Sequence, residues 1–161
     1  MKTAIVYYSM SGNVEQTVGK IAERLEADVI RLEPETAYHD KGFKKFLWGG
    51  KSALMGETPA LKPYTFNAEE YERIILGTPV WAGTFTPPVR TFIDTHKAAL
   101  SSKKLSAVVC LSGAGAQKAI DKMKAYLGIN AFEAELVLTD PKDKVSEENE
   151  KKIDDFCNQL R

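Results

Sequence analysis

Three short stretches hold the residues that could do chemistry. The first is Tyr7-Tyr8-Ser9-Met10-Ser11-Gly12-Asn13-Val14. It follows an apolar run, Ala4-Ile5-Val6, and precedes apolar residues at helical spacing: Val14, Val18, Ile21, Ala22 and Leu25. Strand, small-polar loop, helix is a layout that cradles a phosphate. The first amides of a helix lack intrahelical partners, and the helix dipole adds partial positive charge there. Ser9, Ser11 and Asn13 add side-chain donors, and Gly12 allows positive φ and a close backbone approach. No lysine follows the glycine, as an NTP-binding loop requires, and there is no three-glycine dinucleotide fingerprint. Hydroxyls without a lysine suit a phosphate that is held and not transferred, which favours a phosphomonoester cofactor over a nucleotide substrate. The alternative is an ordinary strand-to-helix turn with an Asn cap and Gln16 three residues on.

The second stretch is Thr78-Pro79-Val80-Trp81-Ala82-Gly83-Thr84. Its indole offers a flat apolar face for stacking on another ring, and Ala82, Gly83 and Thr84 leave backbone free to meet that ring's edge. The alternative is a tryptophan packed on the end of a sheet. The third stretch, Ser112-Gly113-Ala114-Gly115, has side chains so small that its backbone can lie against a planar ligand; alone it is a tight strand-helix turn.

Other reactive types are placed less suggestively. His96 falls on the inner stripe of a helix and reads as a packed histidine, and His39 as a surface-loop residue. No His/Cys cluster has metal-ligand spacing. Cys110 in a strand-like run and Cys157 on a helical stripe read as buried free thiols of a reducing compartment. No nucleophile elbow is present. Lys142-Asp143-Lys144 and Glu147-Glu148 read as a solvated loop and a helix start.

The elements that must position these stretches alternate along the chain. Strands are expected at Ala4–Val6, Asp28–Leu32, Glu72–Thr78, Leu105–Leu111 and from about Phe132 through Leu138. Helices are expected after Gly12; after Thr86, an N-cap followed by Pro87-Pro88; after Ala116, with Gly128 as its stop; and after Ser146, with Ile153, Phe156, Cys157 and Leu160 inward. Such alternation predicts a parallel sheet with right-handed crossovers and helices on both faces. Ligands bind such sheets outside the carboxyl ends of the strands, where all three stretches fall. The irregular connection from about Thr36 to Tyr71 is long enough to cover a site or form an interface, or its aromatics cap the sheet. Within it, Phe43, Phe46 and Leu47 have the spacing of a short helix.

At 161 residues the chain suits one domain over 1–161, and 43% hydrophobic and 27% charged residues are ordinary for a globular protein. Lys+Arg and Asp+Glu balance at 22 each, which points to no nucleic-acid and no acidic-membrane partner. No apolar run approaches membrane-spanning length, and the N-terminus runs straight into a strand with no signal-peptide pattern, so a cytoplasmic location is expected.

Taken together, the stretches resemble the flavodoxin family. Ser9–Asn13 resembles the family's FMN-phosphate loop, and Gly77-Thr78-Pro79-Val80-Trp81-Ala82-Gly83 resembles the loop whose tryptophan flanks the isoalloxazine. The resemblance covers essentially the whole chain. It implies a flavodoxin-like three-layer sandwich around a five-stranded parallel sheet of order 2-1-3-4-5, and a non-covalently bound FMN. The implied cofactor-binding residues are Ser9, Met10, Ser11, Gly12, Asn13 and Val14 in the first loop. Thr78, Pro79, Val80, Trp81, Ala82, Gly83 and Thr84 follow in the second, and Ser112, Gly113, Ala114 and Gly115 in the third.

Two departures stand out. Val14 occupies a position where the family usually has a hydroxyl; the lost hydrogen bond to a charged group is worth about 1.5–3 kcal/mol, partly offset if Thr17 reaches the phosphate. The third loop lacks the tyrosine and acidic cluster of electron-carrier flavodoxins, and the chain is neutral where those carriers are strongly acidic. Less negative charge near the flavin implies a less extreme potential, and an open ring face leaves room for a nicotinamide or quinone. The expected function is an FMN redox protein exchanging electrons with partner proteins, or an FMN-dependent NAD(P)H oxidoreductase acting on quinone-like acceptors. A flavin-free binding module is the third reading. The segment around Trp48 is a candidate homodimer surface.

Overall fold

The structure is a computed structural model that describes residues 1–38 and 49–161. The expected short helix at Phe43, Phe46 and Leu47, His39, and the candidate homodimer surface around Trp48 lie outside the described residues.

The sheet forms first in the logic of the sequence. Strand β1 (Thr3–Tyr7) is buried throughout, and its side chains alternate between two cores. Ala4 and Val6 face one cluster with Ile74, Leu76, Val89, Phe92 and Met123, while Ile5 and Tyr7 face another with Val14, Val18, Ile21, Ile153 and Phe156. A strand covered on both faces needs this apolar run on both sides of the pleat. β1 pairs in parallel with β2 (Asp28–Arg31) and β3 (Arg73–Trp81); β3 pairs with β5 (Lys104–Leu111), and β5 with β6 (Glu135–Thr139).

Helices α1 (Asn13–Leu25) and α4 (Glu147–Gln159) cover the second cluster's face; α2 (Pro87–Leu100) and α3 (Ala116–Leu127) cover the first. The result is the expected three-layer arrangement. Ser146 caps α4 by accepting the Asn149 N–H, and Gly128 ends α3 at φ +73°. Among the described residues, no helix is long and apolar enough to cross a membrane.

The parallel strands run in the order β2-β1-β3-β5-β6, the expected 2-1-3-4-5 with one strand more in the count. The extra strand is β4 (Thr84–Phe85), antiparallel to the end of β3. Thus the stretch after Thr78, expected as loop, is strand through Trp81 and then a hairpin. Its two turn residues, Ala82 and Gly83, have φ of +51° and +71°, the signature of the tight hairpin turn that matches strand twist. A second correction concerns Thr86. It stands at the N-cap of α2, but its hydroxyl makes no cap bond and meets Thr78 Oγ1 at 3.1 Å instead. The last parallel strand begins at Glu135 and not near Phe132.

Candidate functional site

The carboxyl ends of β1, β3 and β5 open onto one cleft of about 250 Å³. Ser9, Met10, Ser11, Asn13 and Val14 line it from the first stretch, Pro79, Val80, Trp81 and Ala82 from the second, and Ser112, Gly113 and Ala114 from the third. Gly50, Cys110 and Leu111 complete the described lining. No described wall residue carries a charge.

The first loop is organised around the start of α1. Gly12 precedes the helix at φ +97°, a conformation side-chain-bearing residues rarely adopt, so glycine is required there. Helix geometry leaves the amides of Asn13, Val14 and Glu15 without intrahelical partners. Ser9 Oγ accepts the Glu15 N–H at 3.2 Å, so this buried serine acts as the helix cap. The amides of Asn13 and Val14 remain. Asn13 is not the cap: its Oδ1 accepts the Lys142 N–H at 3.1 Å and ties in the turn that follows β6, while its Nδ2 lies 3.5 Å from Ser11 Oγ. Thr17 does not replace the hydroxyl missing at Val14. Its Oγ1 donates to Asn13 O at 2.9 Å and sits 3.7 Å from Cys110 Sγ, beneath the loop.

Trp81 is half-buried and held in place from several sides. Its ring makes T-shaped contacts with Tyr8 (centroids 5.6 Å apart) and Tyr38 (5.0 Å). Gly49 lies against the benzo ring so closely that a Cβ there would stand 3.1–3.3 Å from Cε3, Cδ2 and Cζ3. Burial pushes the Tyr8 and Tyr38 phenols above their ordinary range, so both stay neutral at physiological pH. Cys110 lines the cleft floor, but burial pushes its thiol up to about 12, which keeps it protonated and unreactive.

Five residues expected at the cofactor stand behind the cleft wall. Gly12 is covered by the Lys142 side chain. Thr78 is fully buried; its Oγ1 donates to Pro79 O and accepts the Thr86 N–H, bracing the root of the hairpin. Thr84 is buried with its Oγ1 unpartnered among the described residues. Gly83 and Gly115 meet each other, since a Cβ on Gly115 would stand 3.0 Å from Gly83 Cα. They set the spacing between the hairpin and α3. His96 lies outside the cleft: it makes edge-on contacts with Phe66 and Tyr64 and a tilted one with Phe92, with Tyr64 Oη 2.8 Å from Nε2. Among the described residues no His, Cys, Asp and Glu side chains cluster as a metal site.

Sequence reasoning included Tyr8 in the first stretch without giving it a role beside Trp81, and did not place Gly50, Cys110, Leu111, Tyr38 or Lys142 at the site. A signal existed for three of them. Cys110 and Leu111 are the last residues of the strand that delivers the third loop, and Lys142 follows the last strand at the same sheet edge.

An open parallel α/β sheet with a cleft at the carboxyl edge of its central strands, walled by a helix start and an indole, defines a cofactor-binding class of α/β protein. The chain belongs to the flavodoxin family, whose model matches residues 2–152. Solved structures are similar throughout. A flavoprotein of Lactobacillus acidophilus, solved in complex with FMN, is 20% identical over 88% of this chain and 95% of its own, with a TM-score of 0.73. Flavodoxin 1 of Bacillus cereus is 18% identical over 99% and 97%, with a TM-score of 0.57. A flavodoxin, WrbA-like protein from Agrobacterium tumefaciens is 13% identical over 98% and 95%, with a TM-score of 0.62. At these identities the likeness is one of fold.

Proposed function

We propose that this protein is a flavodoxin-type redox protein that binds FMN non-covalently in the cleft and passes electrons through it. The observation that carries the reading is the convergence of a helix start with two unpartnered amides, a fixed indole and a small-residue wall on one uncharged cleft. The donor set fits the cofactor. Phosphate would be held by the free amides of Asn13 and Val14 and the exposed Ser11 hydroxyl. Trp81 would stack on the ring, and the backbone of Ser112–Ala114 would meet its edge. Bound FMN supplies the electron-carrying chemistry, and the side chains need supply no general acid or base. A described cleft of about 250 Å³ lies under the roughly 300–1,000 Å³ of enclosed ligand sites, so part of the ligand faces solvent, where a partner can reach it.

A second reading, an FMN-dependent NAD(P)H oxidoreductase acting on quinone-like acceptors, is favoured by the exposed, side-chain-poor Ser112–Ala114 wall and the uncharged lining. Such a wall leaves a ring face open, and the lack of nearby carboxylates makes a negatively charged reduced ring less costly. Either reading is compatible with a cytoplasmic protein.

Titrating FMN into apo-protein tests the common core: saturable binding with a perturbed visible flavin spectrum is expected, and an apo-protein indifferent to FMN overturns both readings. Anaerobic NADPH then separates them. Holo-protein that stays oxidised with NADPH and NADH but reduces with dithionite is a carrier; bleaching on NADPH addition means an oxidoreductase.

A further inference from the structure

The turn after β6 packs against the first loop from outside the cleft lining, an element that the three expected loops leave out. Asp140 adopts φ +42°, and its carbonyl accepts the N–H groups of Asp143 (3.1 Å) and Lys144 (2.8 Å), so the turn is closed on itself. Its start is fixed by the Asp140 N–H on Leu111 O (2.9 Å), and its tip by the Lys142 N–H on Asn13 Oδ1 (3.1 Å). The Lys142 side chain then runs over Gly12. A Cβ on that glycine would meet Lys142 Cδ at 3.3 Å and Nζ at 3.2 Å. The ammonium donates to Ser11 O at 3.2 Å.

This cation is unusual in its company. Lys144 in the same turn faces the Asp140 carboxylate at 3.5 Å, and Arg31 beside the first loop faces Glu15 at 2.7 Å. Among the described residues Lys142 has no carboxylate within ion-pair distance, and its hydrogen bond goes to a neutral carbonyl. An ammonium has three donors, so two remain for water or ligand. A full positive charge thus stands against the loop whose amides face a phosphomonoester, from an element distant in sequence, Lys142 lying 129 positions from Asn13 and 131 from Ser11.

We propose that Lys142 is a counter-charge for the phosphate held by Ser11–Val14 and adds to the site's preference for FMN over riboflavin. The inference rests on the FMN reading above. A phosphomonoester carries about 1.5–2 negative charges at neutral pH, and with Val14 in place of a hydroxyl the loop has one neutral donor fewer to meet them. A nearby cation supplies Coulomb stabilisation that a hydroxyl-only loop lacks, and that stabilisation is screened by salt. It acts on the phosphate alone. The uncharged ring and ribityl chain should not register its removal.

The test uses the full chain and compares wild type, Lys142→Met, which keeps the stem over Gly12, and Lys142→Arg, which keeps the charge. FMN and riboflavin dissociation constants are measured at low and high salt, with thermal unfolding of each apo-protein alongside. The expected result is an FMN Kd raised roughly three- to tenfold in Lys142→Met at low salt. Riboflavin binding should be unchanged, the salt dependence of FMN binding flatter, and Lys142→Arg close to wild type. An FMN Kd in Lys142→Met equal to wild type overturns the proposal. So does an equal rise for FMN and riboflavin, which would make the lysine a latch that shapes the loop. Wild type that binds no FMN overturns this inference together with the cofactor reading, whereas wild type that binds FMN with an indifferent Lys142→Met overturns this inference alone.

Discussion

Trp81 shows how a single side chain is prepared for a ligand. Its orientation comes from edge contacts with Tyr8 and Tyr38 and from a glycine, Gly49, that admits the benzo ring at van der Waals distance. A ring fixed in advance loses little conformational freedom on stacking. Aromatic pairs contribute about 0.5–1.5 kcal/mol beyond the area they bury, and Trp81→Ala also uncovers the neighbouring wall. The FMN dissociation constant of Trp81→Ala is therefore expected to rise roughly tenfold, read from a visible-absorbance titration. Trp81→Phe should recover most of the loss. A Trp81→Ala protein that binds FMN like wild type would mean that the indole only packs the sheet end. The residue types of this site were legible in the sequence, but their partners were not. Ser9 reads as a phosphate donor and serves as the cap of α1, and Asn13 reads as a cap and ties down the turn of Lys142. A hydroxyl or amide announces that it will hydrogen-bond; which long-range group it meets depends on the packed sheet.

At the scale of elements, periodicity carried most of the fold. Among the described residues, each of the five parallel strands and helices α1 to α4 was visible as an apolar run or stripe, because a sheet buried on both faces and helices buried on one must show those patterns. The β3–β4 hairpin was not visible. Two residues of strand have no periodicity, and the turn uses Ala82 at positive φ where the familiar signal is Asn or Asp. Nor was the brace at the opposite end of the sheet. Arg73 on β3, nearly buried, reaches past β5 to form a bidentate pair with Glu133 just before β6, both bonds at 2.7 Å. The Arg73 hydrogen bonds hold the Glu133 carboxyl below its ordinary value of 4.5. In the unfolded chain that carboxyl takes up a proton as pH falls through its ordinary range, while in the native protein it does so only at lower pH. The stabilisation is thus complete above the unfolded value and disappears as pH falls through the folded one. Glu133→Gln keeps the shape and leaves Arg73 without its counter-charge, so it should lower stability at neutral pH by about 1–3 kcal/mol. Urea unfolding of variant and wild type should differ by that amount at neutral pH and converge once pH has fallen below the lowered folded-state value of the Glu133 carboxyl. A difference that persists unchanged into acid would assign the loss to packing instead.

The whole molecule links cofactor to stability. The cleft is assembled from residues far apart in sequence, from Ser9 to Ala114, that meet only when β1, β3 and β5 lie in register, and the unfolded chain has no such site. A ligand of the folded state alone stabilises it by RT ln(1 + [L]/Kd), about 2.7 kcal/mol at one hundred times Kd. For a chain of this size each kcal/mol moves the midpoint by roughly 2–4 °C. FMN at that excess should therefore raise Tm by roughly 5–10 °C, and the shift should grow with the logarithm of FMN concentration. Riboflavin, which offers Trp81 and the Ser112–Ala114 wall the same ring but gives the amides of Asn13 and Val14 nothing to bind, should give a smaller shift at equal concentration. The difference between the two curves isolates what holds the phosphate, the first loop with Lys142, because ring contacts cancel. Equal shifts would place the binding energy in the ring contacts and remove the phosphate role from Ser9–Val14. A shift with neither flavin would mean that the cleft holds no flavin at all.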